Sequence, residues 1–485
     1  MSRKIIVITF LLLYVSGLQS AAFRTDVRYS QWIIDSRMDD FRNKSKTEGF
    51  QTPTSARKNA SWDYVPGLVA KAIVMAWEQY QDSAWSAYYF SGIQDFDDHV
   101  TMTLGDSNID DLNAAKIYFE LYRGALANGD TTKANLYRSN VTIGRNKLKN
   151  DHLRIGSNLP GTGGFWHKKS YVNQMWLDGL YMGPAFYAEW QGNFGVASDM
   201  QSWDDIALQF DTIFHYTWNN TKKLNYHAWS ADPTNSASNY WADPVTGCSR
   251  EFWGRGMGWF FAALIDVLNY MPQSHPGYAR LSNYANLVAD GLKDRQDTTT
   301  GCWYQLLQYN QTQTGTCGIN NYLESSASSM FTYAYLKGIR LGILDAGIYL
   351  PIAQKAYRGL IEQFVVEETN GKIKLIQSCE SAGLSSTRLG DANYYLCGSD
   401  VGIHNNTEGK VLGPFIMASL EYERLPVNGP ITEVSTAVVT DKTPISQACF
   451  SLLGQRIQST TPGIQIVRVV YADNSVAVTK RFVSK

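Results

Sequence analysis

The chain has 485 residues, a formal net charge of -1 and no long block of either sign, which removes any electrostatic case for nucleic acid or an anionic membrane as partner. Its length exceeds one ordinary core, so a large domain with an appendage, or two domains, is expected. Aromatic residues make up 13%, with 14 Trp and 29 Tyr; such rings fill helical cores and also stack on the apolar faces of sugars.

Residues 1–21 read as a signal peptide: Arg3 and Lys4 give the positive start, Ile5 to Val15 the apolar run, and Ser20, Ala21 and Ala22 the small residues of a cleavage site. The expected location is secreted or periplasmic, with attachment at the cell surface left open. The apolar run is too short for a comfortable membrane span, and no later stretch of about 20 apolar residues follows. Six cysteines suit disulfides in an oxidising compartment, and Cys302 with Cys317 and Cys379 with Cys397 are the pairs expected first. No CxxC pair or close Cys/His cluster is present, so no metal site is expected. Asn59 and Asn140 begin glycosylation sequons, which matter only in a eukaryotic secretory pathway.

From Tyr64 to about Arg424 apolar residues recur at three- and four-residue spacing, clearest over Gly67–Tyr80, Asp110–Leu126, Met257–Met271, Ser325–Leu341 and Gly413–Arg424. Clusters of Gly, Asn, Asp and Pro separate them. Strand-like alternation is scarce, so the fold class is all-α, built of stacked helical hairpins for which a closed toroid is one solution. After Leu425 the composition turns to Val, Thr and Pro, and the runs Cys449–Arg456, Gly463–Tyr471 and Val476–Val483 read as a small β module. Domain bounds of 1–21, 22–426 and 427–485 follow, the last comprising a linker and the β module. This tail resembles the C-terminal domains of some Bacteroidetes-type secreted proteins, with an ordinary β appendage as the alternative.

The most unusual segment runs from Gly161 to Trp190. Its glycines make a loop, after which His167, Lys168, Trp176 and Asp178 precede an apolar helix starting near Gly179. Alone, Asp178 is most simply a helix cap. A second cluster, Phe252 to Trp259, sets Arg255 between two glycines and between Trp253 and Trp259; a guanidinium fork suits a carboxylate, and a plain salt bridge is the alternative. His227 lies on a loop between the two, and a lone His is usually structural.

The segments WLDGLYM around Asp178, HAW at His227, FWGRGMGW at Arg255, Glu324 to Asp345 and Gly413 to Glu423 together resemble family 105 of the glycoside hydrolases, the unsaturated rhamnogalacturonyl hydrolases, with the unsaturated glucuronyl hydrolases of family 88 related. The resemblance spans about Tyr64 to Arg424. It implies an (α/α)6 barrel, a six-hairpin toroid with a funnel-shaped site on one face, needing neither metal nor organic cofactor. Residue by residue, it makes Asp178 the general acid/base and Asp110, preferred over Asp111, a second acid. Tyr64, Lys168, Trp176, His227, Trp253, Arg255 and Trp259 become substrate-binding residues. Val172 stands where the family suggests proline, so the local loop is expected to differ.

The implied reaction hydrates the C4=C5 double bond of an unsaturated uronic acid at the non-reducing end of an oligosaccharide, with galacturonyl-rhamnose from rhamnogalacturonan as the expected substrate. Asp178 would protonate C4 and therefore start protonated, although an ordinary Asp titrates near pH ~3.9. Desolvation by Trp176 and a charged Asp110 would push it the right way, provided Lys168 and Arg255 are held away from it. The competing readings are an unsaturated glucuronyl hydrolase or other (α/α)6 glycosidase, and a non-catalytic sugar-binding protein.

Overall fold

A helix that is apolar all round belongs in an interior, whereas one with a single apolar stripe belongs at a surface. Both kinds occur here. Gly254–Leu268 buries every residue except Asp266, and Ser325–Arg340 every residue except Arg340. Thr131–Asn146 buries only Ala134, Tyr137, Val141 and Gly144, one stripe along its length. A computed structural model describes residues 21–42, 62–80, 101–196 and 198–425, together with strands between 444 and 483. Residues 1–20, most of the expected leader, and the Asn59 sequon lie outside the described residues.

The inner helices form a closed ring. Tyr64–Gln79 packs on Asp111–Ala114 and Ile117–Ala127; Asp111–Ala114 meets Leu177–Met182; that helix and Pro184–Phe194 pack on Gly254–Leu268; Gly254–Leu268 packs on Ser325–Arg340; and this on Gly409–Glu423, which returns to Tyr64–Gln79. Around them lie Tyr29–Arg42, Thr131–Asn146, Met200–Thr217, Pro276–Lys293 and Ala346–Phe364, five outer helices among the described residues. The fold is the (α/α)6 toroid expected from the helical pattern and the family resemblance.

From Asp111–Ala114 onward inner and outer helices alternate among the described residues, and the inner ones all point the same way. Their N-terminal ends, marked by Tyr64, Asp110, Asp178, Arg255 and Lys410, line one cavity; their C-terminal ends, marked by Glu78, Asp266, Lys337 and Glu421, line another. No described helix is long and apolar enough to cross a membrane.

Two spans differ from the periodicity. The helix expected from Met257 begins at Gly254, which puts Arg255 and Trp259 on its first two turns. The expected Asp110–Leu126 helix is two helices, because around Ala115 and Lys116 the chain tightens to three-residue hydrogen bonds, Tyr118 N to Ala115 O and Phe119 N to Lys116 O. Both expected disulfides are corrected. The bond joins Cys317 to Cys397, with Cα atoms 5.8 Å apart, while Cys248, Cys302 and Cys379 are buried free thiols. Fold topology, and not spacing, brought Cys317 beside Cys397.

The chain divides into two compact units, residues 1–430 and 431–485. In the second, Arg456–Ile457, Pro444–Phe450, Gly463–Tyr471 and Val476–Val483 lie in that order in one antiparallel sheet, with Gly463 opposite Val483 and Ile466 opposite Phe450. Its first strand starts at Pro444, earlier than the β-prone run read at Cys449.

Candidate active site

Asp178 and His227 meet because a short β ladder aims them at each other. Gln174–Trp176 pairs antiparallel with Ala228–Ser230, Trp176 opposite Ala228, and the ladder extends one step through Leu177 N donating to His227 O at 3.0 Å. Asp178 follows as the second residue of Leu177–Met182. The N-cap of that helix is Trp176, and no side chain caps it, so Asp178 is not the cap that its position suggested. Its Oδ2 lies 3.1 Å from His227 Nε2 instead, and the other ring nitrogen, Nδ1, lies 2.6 Å from the Tyr395 hydroxyl. A Cβ on Gly256 would sit 3.2 Å from His227 Cδ2 and 3.7 Å from Asp178 Oδ2. The glycine beside Arg255 therefore leaves room for this pair, rather than serving a tight turn.

A second carboxylate is built in the same way. The isolated bridge between Asn108 and Lys168, with Ile109 N donating to His167 O at 3.2 Å, sets Asp110 against both basic side chains. Asp110 Oδ2 is 2.6 Å from Lys168 Nζ and Oδ1 is 3.3 Å from His167 Nε2. Burial would raise the Asp110 carboxyl, but His167 and Lys168 outweigh it and hold the group well below the usual carboxylate range. The neighbouring Asp111 is turned to local work: it accepts from Gly105 N at 2.7 Å and Asn108 Nδ2 at 2.8 Å, and burial raises it. Asp110, not Asp111, reaches the cavity. Gly179 is a glycine for the neighbouring reason, since a Cβ there would come within 2.9 Å of His167 Nδ1.

These groups line a cavity of about 660 Å³, including space open to solvent. Tyr64, Lys168, Trp176, Trp253, Arg255 and Trp259 line it as well, so every residue singled out from the sequence is on its wall except His227, which is fully buried behind Asp178. Trp176 stacks on Tyr171 at 4.7 Å and on His167 at 5.1 Å, three near-parallel rings on one side. Trp253 packs on His227 at 4.7 Å.

Neither Arg255 nor Lys168 forms an ion pair with Asp178 among the described residues. Lys168 is paired with Asp110. Arg255 is 1% exposed and donates from Nε to Ser326 Oγ at 2.8 Å, from Nη1 to Glu380 O at 3.3 Å and from Nη2 to Cys379 O, with Glu324 Oε1 at 3.8 Å from Nη2. The free fork expected from its sequence context is largely engaged by the protein itself.

Arg388 and Lys410, which sequence reasoning missed, add charge to the wall. Lys168, Arg255, Arg388 and Lys410 share the wall with the carboxylates Asp110 and Asp178, while Glu324, Asp400 and Glu408 pair with the last three cations from off the lining, at the ends of helices whose N-termini carry partial positive charge. Tyr395 was missed too. The Gly390-Asp391 pair that starts its short helix was a visible signal of a helix start, but nothing in the sequence links that helix to His227.

Residues 33–426 match the family model described as Glycosyl Hydrolase Family 88. A solved glycoside hydrolase of family 105 from C. acetobutylicum is similar at 32% identity, over 82% of this chain and 100% of that one, with a TM-score of 0.66. A protein of Agrobacterium fabrum is 34% identical over 38% of this chain and 78% of its own length. An unsaturated 3S-rhamnoglycuronyl hydrolase of Formosa agariphila is 26% identical over 31% of this chain and 39% of its own length.

Proposed function

The chain belongs to Glycosyl Hydrolase Family 88, and on that premise we propose that it removes a 4,5-unsaturated uronic acid from the non-reducing end of short oligosaccharides, with galacturonyl-rhamnose from rhamnogalacturonan as substrate. The carrying observation is the convergence of the Asp178–His227 pair and the Asp110–Lys168 pair in one positively lined cavity. The names borne by its relatives in Formosa agariphila and Alteromonas, both unsaturated 3S-rhamnoglycuronyl hydrolases, support a uronic acid joined to rhamnose.

In this reading the sugar is an enol ether. Asp178 gives its proton to C4, positive charge develops at C5 and the ring oxygen, and water adds at C5 while the ionised Asp178 takes up the water's proton. The hemiketal opens and releases the neighbouring sugar. Asp110 stays charged and answers the cationic intermediate across the cavity. Tyr64, Trp176, Trp253 and Trp259 supply ring surface, His227 holds Asp178, and Lys168 and Arg255 contribute positive charge toward the sugar carboxylate. Because attack is at C5 and not at the anomeric carbon, the separation of the two carboxylates carries no stereochemical forecast.

Residues 1–21 direct export in the same proposal, and the Cys317–Cys397 bond supports it, since such bonds persist in oxidising compartments. The test is incubation of the chain with unsaturated disaccharides from rhamnogalacturonan, polygalacturonate and ulvan, following the ultraviolet absorbance of the double bond. Fastest loss is expected with the rhamnogalacturonan disaccharide. Fastest loss with the ulvan disaccharide moves the substrate to a glucuronyl sugar, and unchanged absorbance with all three overturns the reading.

A further inference from the structure

The proton carried by Asp178 can sit on either oxygen, and only one placement is useful to a substrate. His227 decides which. It is fully buried, with Nε2 on Asp178 Oδ2 and Nδ1 on the Tyr395 hydroxyl, so its tautomer settles the direction of both hydrogen bonds.

Tyr395 is itself fully buried, in the short helix Ala392–Cys397, which the Cys317–Cys397 bond ties to the loop before Ser325–Arg340. Among the described residues its hydroxyl has no hydrogen-bond partner other than His227. Burial holds the phenol well above its ordinary pKa, so it keeps its proton. That proton needs an acceptor, and the imidazole Nδ1 lone pair at 2.6 Å is the one in reach. The opposite arrangement, Nδ1–H donating to the phenol oxygen, would strand the phenol proton in a dry core.

We infer that Tyr395 is a positioning residue that locks His227 as the Nε2–H tautomer, so that His227 donates to Asp178 Oδ2 and the acid's own proton is carried on Oδ1. Asp178 Oδ1 has no hydrogen-bond partner among the described residues, and Asp178 lines the cavity. The relay therefore orients the acid toward the sugar without moving a proton through it: Tyr395 and His227 keep theirs, and the one transferred to C4 is replaced from the attacking water. A backbone anchor, Leu177 N to His227 O, and the ring of Trp253 fix the imidazole plane, which leaves the tautomer as the one freedom that Tyr395 removes.

The inference rests on Asp178 as the proton donor, and the experiment separates the two. In the unsubstituted protein, nitrogen chemical shifts of His227 are expected to show Nε2 protonated and Nδ1 as a bare acceptor, a measurement that needs no variant. Nδ1 protonated there overturns the lock outright. In Tyr395→Phe, which keeps the ring and loses only the hydroxyl, a mixed tautomer signal is expected, with kcat lower by about ten- to a hundredfold and KM nearly unchanged. Unchanged kcat, with Asp178→Asn inactive, overturns the role of Tyr395 alone. An active Asp178→Asn instead overturns the reading of the acid on which this rests.

Discussion

The two ends of the barrel are made from the same six segments and place the partners of their charges differently. At the N-terminal ends of the inner helices, Asp178 has a histidine and Asp110 a lysine and a histidine, while the wall cations Arg255, Arg388 and Lys410 reach carboxylates off the lining, Glu324 at 3.8 Å, Asp400 at 2.9 Å and Glu408 at 2.7 Å. At the C-terminal ends, a chamber of about 860 Å³, including space open to solvent, holds Lys71 against Glu120 and Glu189, Lys337 against Asp266, and Arg340 and Arg424 against Glu421. Its carboxylates are matched by cations within the wall, and those cations also sit where the helix dipoles favour positive charge. Cations paired within one chamber mark scaffolding, whereas at the other end carboxylate partners standing off the lining leave the wall with four cations, Lys168, Arg255, Arg388 and Lys410, to two carboxylates, Asp110 and Asp178, facing a ligand.

The comparison is broken most severely if the two ends exchange their mutational responses. Asp178→Asn keeps an acceptor for His227 and loses the acid, so kcat should fall by about 10²- to 10⁴-fold with thermal stability nearly intact; initial rates on the unsaturated disaccharide and a melting curve check both halves. Lys71→Met should do the reverse. It leaves Glu120 and Glu189 buried without their lysine, at a cost of about 3–5 kcal/mol in denaturant unfolding, with kcat/KM of the remaining folded enzyme unchanged. A loss of kcat in that variant would mean that the chamber is coupled to the site.

Smaller effects sharpen the contrast. Gly256→Ala places a methyl group against His227 and Trp253, and about a tenfold fall in kcat with little change in melting temperature is expected from a displaced imidazole. The smallest effect concerns Lys116, the far-end cation with no carboxylate within salt-bridge distance among the described residues. It donates to Tyr181 O at 2.6 Å, and burial, resisted by Asp266 and Glu189, lowers it from 10.5 to about 7. A depressed folded-state pKa means that its contribution is fully present above pH 10.5 and is lost as pH falls through about 7. Relative to Lys116→Met, the parent protein should therefore lose stability between alkaline and neutral pH; parallel unfolding midpoints at pH 6 and pH 9.5 would contradict it.

The inner helices were legible because a segment such as Ser325–Arg340 is apolar or small on nearly every face, a pattern that the chain shows without its partners. Asp178, His227 and Arg255 were legible as members of unusual loops, but their uses were not. Whether Asp178 caps its helix depends on where Trp176 leaves the ladder, and whether Arg255 has a free fork depends on carbonyls more than 120 residues onward, at Cys379 and Glu380. Tyr395, 168 residues from its partner, and the Cys317–Cys397 bond, whose ends are 80 residues apart, are products of ring closure that no local pattern encodes.

That closure also sets an order in time. Tyr64–Gln79 is synthesised early, yet its final neighbour in the ring is Gly409–Glu423, the last helix of the barrel to leave the ribosome. Tyr64 and Asp110 must wait for Lys410 to arrive before they enclose anything. With contacts this distant in sequence, folding is slow compared with making any one hairpin, and the growing chain holds an open arc of helices with its inner apolar faces uncovered until the final hairpin docks.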